Sequence, residues 1–108
     1  MAFVATMTYE LDASATPEAR KLLRAELVGR RWQDRWEGRL MPANCVWSRR
    51  TAQGDETVDE LMKHCERELF AAAAAVEAMG RPTQVKRAWV QVSGAGTWGL
   101  LAVPEASG

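Results

Sequence analysis

A stripe of apolar residues at helical spacing, running from Val58 to Val76, limits the fold of this chain more than any other feature. Apolar positions recur there every three or four residues, which is the pattern of a helix that buries one face. Thr57 and Glu60 form a capping box at its start, and Gly80 follows its end. A helix this long must cover an apolar surface, and a chain of 108 residues is sized for one hydrophobic core.

Two segments with alternating apolar residues predict the strands that this helix covers. Residues 3–11 alternate between larger apolar side chains and mainly polar ones, and residues 85–93 alternate in the same way. After the first of these strands, Thr16 and Pro17 are typical of a helix start, and Gly29 is typical of its end. The chain therefore begins with a strand followed by a helix, and later repeats the two elements in the opposite order.

Residues 30–51 lose the helical period and predict a hairpin of two short strands. Trp32 and Trp36 share parity, residues 45–47 are typical of an extended segment, and Gly38 interrupts the middle. The sequence leaves open which side chains of this hairpin face the core.

The resulting order, βαββαβ, predicts an α+β fold of the ferredoxin-like kind. Two helices would cover one face of a four-stranded antiparallel sheet, and the other face would be bare. Residues 98–103 can add a short fifth strand. We expect one domain over residues 1–103 and a flexible C-terminal tail over residues 104–108.

Charge is balanced over the whole chain but unevenly distributed along it. Fourteen basic residues match fourteen acidic ones, so the net charge is zero. Residues 20–50 nevertheless hold nine basic and three acidic residues, whereas residues 51–80 hold two and seven. The sequence therefore predicts a surface with two signs of charge rather than a uniformly basic one.

Some classes of site and location are disfavoured. Cys45, Cys65 and His64 are too few for a four-ligand zinc site, and the last two, adjacent on a helix, cannot pair as nucleophile and base. No apolar run reaches the roughly 20 residues that cross a membrane, and residues 1–9 lack a basic leader. We expect a soluble cytoplasmic protein.

Arginines and tryptophans interleave through the hairpin, a composition typical of a surface for single-stranded nucleic acid. The candidate nucleic-acid-binding residues are Arg30, Arg31, Arg35, Arg39, Arg49, Arg50, Trp32, Trp36 and Trp47. The competing interpretation is that the arginines between positions 30 and 39 pair with acids around the start of the long helix. Those acids are Asp55, Glu56, Asp59 and Glu60.

The bare face of the sheet predicts a second contact surface, because its parity carries apolar side chains. The candidate dimer-interface residues are Val4, Thr6, Thr8, Trp89 and Trp98. Base stacking on this face and an apolar small-molecule pocket lined by Trp89 and Val4 are the alternatives. Pairing of two chains is favoured over base stacking because the first strand has no aromatic motif of the kind that RNA-reading sheets carry.

Four segments resemble small bacterial proteins similar to the CRISPR-associated adaptor endonucleases, a group that includes SinR-like proteins and the GhoS antitoxin endoribonuclease. They are Thr8-Tyr9-Glu10-Leu11, Asn44-Cys45-Val46-Trp47, the helix begun by Thr57, and Val92-Ser93-Gly94-Ala95-Gly96-Thr97-Trp98-Gly99. The resemblance implies a ferredoxin-like homodimer, often with an exchanged C-terminal strand, that binds nucleic acid or cleaves it with a metal ion.

The resemblance also implies a site at the end of the first strand. Glu10 matches the position of the family's metal-binding aspartate, and Asp12 follows two residues later on the same predicted face. Symmetry-related carboxylates of two chains would hold Mg²⁺ and activate water. The alternative is that both acids are merely solvated.

The function expected from the sequence is therefore that of a homodimeric nucleic-acid-binding protein, with endoribonuclease activity of an antitoxin or phage-defence type as its enzymatic form. A non-catalytic module that docks a protein partner is the alternative.

Overall fold

The computed structural model describes residues 2–94 as an antiparallel sheet with two helices on one side. The elements are β1 (Ala2–Leu11), α1 (Pro17–Gly29), β2 (Arg35–Trp36), β3 (Arg39–Leu40), β4 (Cys45–Thr51), α2 (Val58–Ala78) and β5 (Val85–Gly94). β1 is the central strand, with β4 on one side and β5 on the other. The predicted α+β class is confirmed, and the predicted strand over residues 98–103 lies outside the described residues.

Three strands pair in the main sheet of residues 2–94, so the predicted four-stranded sheet is not confirmed. The backbone N–H of Gln33 donates to the carbonyl of Trp47 at 2.7 Å, and the N–H of Trp47 donates back at 3.0 Å. This bridge is the only pairing beyond β4 within residues 2–94, because β2 pairs with β3 instead. The chain adopts a left-handed conformation just before the bridge, at Arg31, and another in the β2–β3 turn, at Glu37.

Both helices begin where the sequence predicts. The side-chain oxygen of Thr16 accepts a hydrogen bond from the backbone N–H of Ala19 at 3.1 Å. Thr57 does the same for the N–H of Glu60 at 3.2 Å. Each bond satisfies a donor that the first helical turn leaves without a partner, so local sequence fixes both helix starts.

The core lies between the helices and one face of the sheet. β1 contributes alternate residues to it, including Met7 and Tyr9, whereas α1 contributes Leu23 and Leu27. α2 presents most of its apolar stripe, with these members buried: Leu61, Cys65, Leu69, Ala72, Ala73 and Val76. Within residues 2–94, no helix combines the length and the apolar character needed to cross a membrane.

Candidate nucleic-acid interface

Arg24 of α1 holds residues 34–43, the segment that contains β2 and β3, in place. One terminal nitrogen donates to the carbonyls of Pro42 at 3.2 Å and Ala43 at 2.6 Å. The other donates to the carbonyls of Asp34 at 3.2 Å and Met41 at 3.0 Å. The Asp34 carboxylate also lies 3.4 Å from the arginine Nε. Two of these carbonyls, those of Asp34 and Pro42, also accept from the backbone N–H groups of Met41 and Cys45. This arginine clamp adds a charged donor to all four, so α1 fixes where this segment lies.

The clamped hairpin folds over part of the bare sheet face. Trp36 packs edge to face against Trp47, with ring centroids 5.2 Å apart. The indole N–H of Trp47 donates to the carbonyl of Arg35 at 2.8 Å. Trp47 lies opposite Thr6 on the face away from the helices, yet its side chain is only 4% exposed. This tryptophan is therefore part of a small second core and presents no free ring to a base.

A partly buried polar cluster links β4 to α2 on the other face of the sheet. Glu68 accepts hydrogen bonds from both terminal nitrogens of Arg50, at 2.6 and 2.8 Å, and from the indole N–H of Trp32 at 3.0 Å. The Arg50 guanidinium lies 4.7 Å from the centre of the Trp32 ring. Burial by itself would lower the pKa of Arg50, but the hydrogen bonds and charge of Glu68 raise it overall.

Trp32 is consequently an interior residue, 1% exposed, and not the surface stacking residue that the sequence predicts. Composition alone could not predict the burial of Trp32. Interleaved arginines and tryptophans occur both on surfaces that stack bases and in internal cation–π contacts.

Four arginines converge on a cleft of about 440 Å³ beside the outer edge of β4, which we call the arginine cleft. It is lined by Arg30, Arg31, Arg49 and Arg50, together with Gln33, Ser48, Thr51, Gln53 and Glu68. Arg30 lies 3.6 Å from Glu26, and Arg50 is bound by Glu68. Within residues 2–94, Arg31 and Arg49 are exposed and neither forms an ion pair, so their charge is available to an anion.

The other two predicted arginines lie on the small hairpin, outside the cleft. Arg35 donates to the carbonyl of Gly38 at 3.2 Å, and both Arg35 and Arg39 are exposed. The alternative pairing with acids near the start of α2 is not observed in the described part of the chain. One of those acids, Glu56, lies 2.9 Å from His64 instead.

The predicted magnesium ligands are both engaged with other groups. The Glu10 carboxylate lies 2.6 Å from the Arg87 guanidinium on the neighbouring strand. Asp12 lies beyond the end of β1 and accepts from the N–H and hydroxyl of Ser14, at 3.0 and 2.6 Å. Residues 2–94 contain no group of three or more potential metal ligands. The predicted magnesium site combines carboxylates of two chains, so it stays a prediction of the sequence.

The hydrogen bonds that Ser14 donates to Asp12 change the pKa of this carboxyl group. Hydrogen bonds from the Ser14 hydroxyl and then the Ser14 backbone N–H lower the pKa of Asp12. This carboxylate therefore stabilises the fold above its ordinary pKa, and the contribution is lost as the pH falls through the lowered pKa. We expect Ser14→Ala to raise the pKa of Asp12 towards its ordinary value in an NMR titration. Ser93→Ala is the control, and an equal shift there would contradict the assignment.

The side chains that the sequence assigns to the bare face of β1 and β5 do share one face. Across β1, Val4 lies opposite Ser93, Thr6 opposite Gln91, and Thr8 opposite Trp89. Of the predicted dimer-interface residues on this face, Val4 is buried, whereas Trp89 is 60% exposed. Trp98 lies outside the described residues.

A groove of about 420 Å³, which we call the Trp89 groove, crosses this face. Its lining residues are Thr8, Tyr9, Glu10, Asn44, Arg87, Ala88 and Trp89.

Sequence reasoning missed two features that define these surfaces. Arg24 was not a candidate, because nothing in its local sequence shows that its partners lie 10 to 19 residues away. The Glu10–Arg87 pair could have been inferred from strand register, since both positions share the parity of the bare face. The chain thus carries an arginine cleft and an aromatic groove. No family model, curated protein or solved structure matches this chain.

Proposed function

We propose that this protein binds single-stranded nucleic acid, RNA or DNA, through the arginine cleft. The observation that carries the proposal is the pair of exposed arginines, Arg31 and Arg49, that share one cleft without a carboxylate partner among the described residues. A guanidinium fork donates two parallel hydrogen bonds to phosphate oxygens, and nucleic-acid phosphates are spaced closely enough to engage neighbouring arginines.

Other side chains of the lining surround the two free arginines. Arg50 is held by Glu68 and acts as a positioning residue for the cleft wall. Gln33 and Gln53 add neutral polar side chains to the lining. Because two of the four cleft arginines are already paired, we infer modest affinity and a slope of log K against log salt of about −1.4, the value for two phosphate contacts on a single strand.

The same proposal takes the fold as ferredoxin-like, with the Gln33–Trp47 bridge as the remnant of its fourth strand. Cleavage of nucleic acid by Glu10 and Asp12 stays a prediction of the sequence, and so does the pairing of two chains.

Substitution of either free arginine tests the proposal. We expect Arg31→Gln and Arg49→Gln each to weaken binding of a labelled single-stranded oligonucleotide roughly tenfold at low salt. Each should also reduce the slope of log K against log salt by about 0.7, the value for one lost phosphate contact on a single strand. Fluorescence anisotropy over a range of salt concentrations measures both quantities.

Arg67→Gln, on the exposed face of α2, is the matched control and should change neither quantity. Wild-type protein that binds no oligonucleotide at low salt would refute the proposal and favour the protein-docking alternative. Equal losses in all three variants would show a general effect of net charge instead of a site.

A further inference from the structure

The Trp89 groove combines an exposed aromatic face with an exposed ion pair. Trp89 of β5 lies opposite Thr8 of β1, and two residues along the same strands Arg87 lies opposite Glu10. Side chains two residues apart on a strand point to the same face, so the indole and the ion pair lie next to each other. The result is an aromatic platform with hydrogen-bonding groups at one end.

A small planar ligand fits this face better than a second copy of the described domain. A stable protein interface buries about 800 Å² on each partner around an apolar centre, whereas one tryptophan supplies only about 150–250 Å². In residues 2–94, Trp89 is the only large apolar side chain exposed on the face that β1 and β5 share. Its neighbours across and along the strands are Thr6, Thr8 and Gln91, which are polar.

The ion pair keeps hydrogen-bonding capacity for a ligand. The contact joins Nε of Arg87 to Oε2 of Glu10, and the two side chains are 71% and 48% exposed. The terminal nitrogens of Arg87 therefore remain available as donors, and Oε1 of Glu10 remains available as an acceptor. A ligand that presents adjacent donors and an acceptor along one edge would satisfy both groups.

We propose that the Trp89 groove binds an unpaired guanine base, stacked on Trp89 and read along its Watson–Crick edge by Glu10 and Arg87. Guanine alone among the common bases presents two adjacent donors, N1–H and the 2-amino group, beside an acceptor, O6. The carboxylate accepts from the donors, and the guanidinium donates to O6.

The inference rests on the proposed binding of nucleic acid, which brings an unstacked base to the sheet. Arg49 lies opposite Val4 in the register, and Trp89 lies opposite Thr8. Four residues of β1 separate these positions by about 13 Å along the strand, and two strand spacings separate β4 from β5 by about 10 Å across the sheet. A short single strand can therefore engage the arginine cleft and the Trp89 groove together.

Titration with guanosine tests the groove apart from the cleft, because this nucleoside carries no phosphate. The indole N–H signals of the tryptophans, assigned with Trp89→Leu, report binding by NMR. We expect guanosine to shift the Trp89 signal with an affinity in the millimolar range, and to bind roughly tenfold more tightly than adenosine. Glu10→Gln should remove that preference.

Matched variants decide between the two sites. Trp89→Leu should abolish the response of the Arg87 Nε–H signal to guanosine, whereas Phe70→Leu, at a comparably exposed ring on α2, should leave that response intact. Arg31→Gln should weaken binding of the oligonucleotide without changing the binding of guanosine. A Trp89 signal that guanosine does not move overturns the groove proposal. Concentration-dependent broadening of that signal, with no effect of guanosine, also overturns it and assigns the face to a second copy of the chain.

Discussion

Replacement of Arg24 with methionine is expected to lower the free energy of unfolding by about 3 kcal/mol. The substitution keeps the apolar stem of the side chain but removes all four hydrogen bonds that the guanidinium donates to backbone carbonyls of the hairpin. The carbonyls of Asp34 and Pro42 also accept backbone hydrogen bonds, from the N–H groups of Met41 and Cys45. The cost therefore comes mainly from the carbonyls of Met41 and Ala43, which the lost guanidinium leaves partly desolvated. Chemical denaturation followed by tryptophan fluorescence measures the change.

Two further variants separate the clamp from general effects of charge. Lys21→Met removes a positive charge from an exposed position of the same helix and should cost less than about 0.5 kcal/mol. Arg24→Lys keeps the charge but loses the planar fork, and should recover only part of the stability. A Lys variant as stable as wild type would show that charge alone, and not the fork geometry, holds the hairpin.

Removal of Glu68 is expected to cost about 2–3 kcal/mol through a different mechanism. In Glu68→Leu, the Arg50 guanidinium and the Trp32 indole N–H both lose their acceptor while remaining largely shielded. A buried charge without its counter-ion is among the more damaging changes to a fold, typically worth 3–5 kcal/mol when fully enclosed. The side chains of Arg50 and Glu68 are 20% and 26% exposed, so water moderates the penalty.

A double variant tests this explanation. Combining Arg50→Met with Glu68→Leu removes the stranded charge, so we expect the pair to be more stable than Glu68→Leu alone. Glu18→Leu breaks the exposed Arg81–Glu18 pair and serves as the control, with an expected cost below about 0.5 kcal/mol. A double variant less stable than either single one would contradict the view that the isolated charge causes the loss.

The parts of the fold that follow from the sequence are those determined by neighbouring residues. Thr16 and Thr57 cap the two helices through bonds that span three residues, so a short motif is enough to find them. The alternation of β1 assigns its core and bare faces correctly, because one buried face leaves a strand only one compatible register.

The burial and the partners of the side chains in residues 30–51 could not be predicted in the same way, because their stabilising contacts come from distant positions. Trp32 bonds to a residue 36 positions away, and Arg50 bonds to the same residue from 18 positions away. Local composition shows that these residues are present but not which arginines are already paired. The sequence therefore named the arginines of the cleft among its candidates, but it could not distinguish Arg31 and Arg49, which are available, from Arg50, which is not.

The single bridge between Gln33 and Trp47 leaves the rest of the outer edge of β4 without a neighbouring strand in residues 2–94. A bare edge of this kind is a template on which another polypeptide can add a strand, and charged side chains are the usual protection against it. Arg31 and Arg49 lie at this edge. The same positive charge that would attract a phosphate backbone thus also repels the β4 edge of a second copy of this chain and opposes edge-to-edge aggregation.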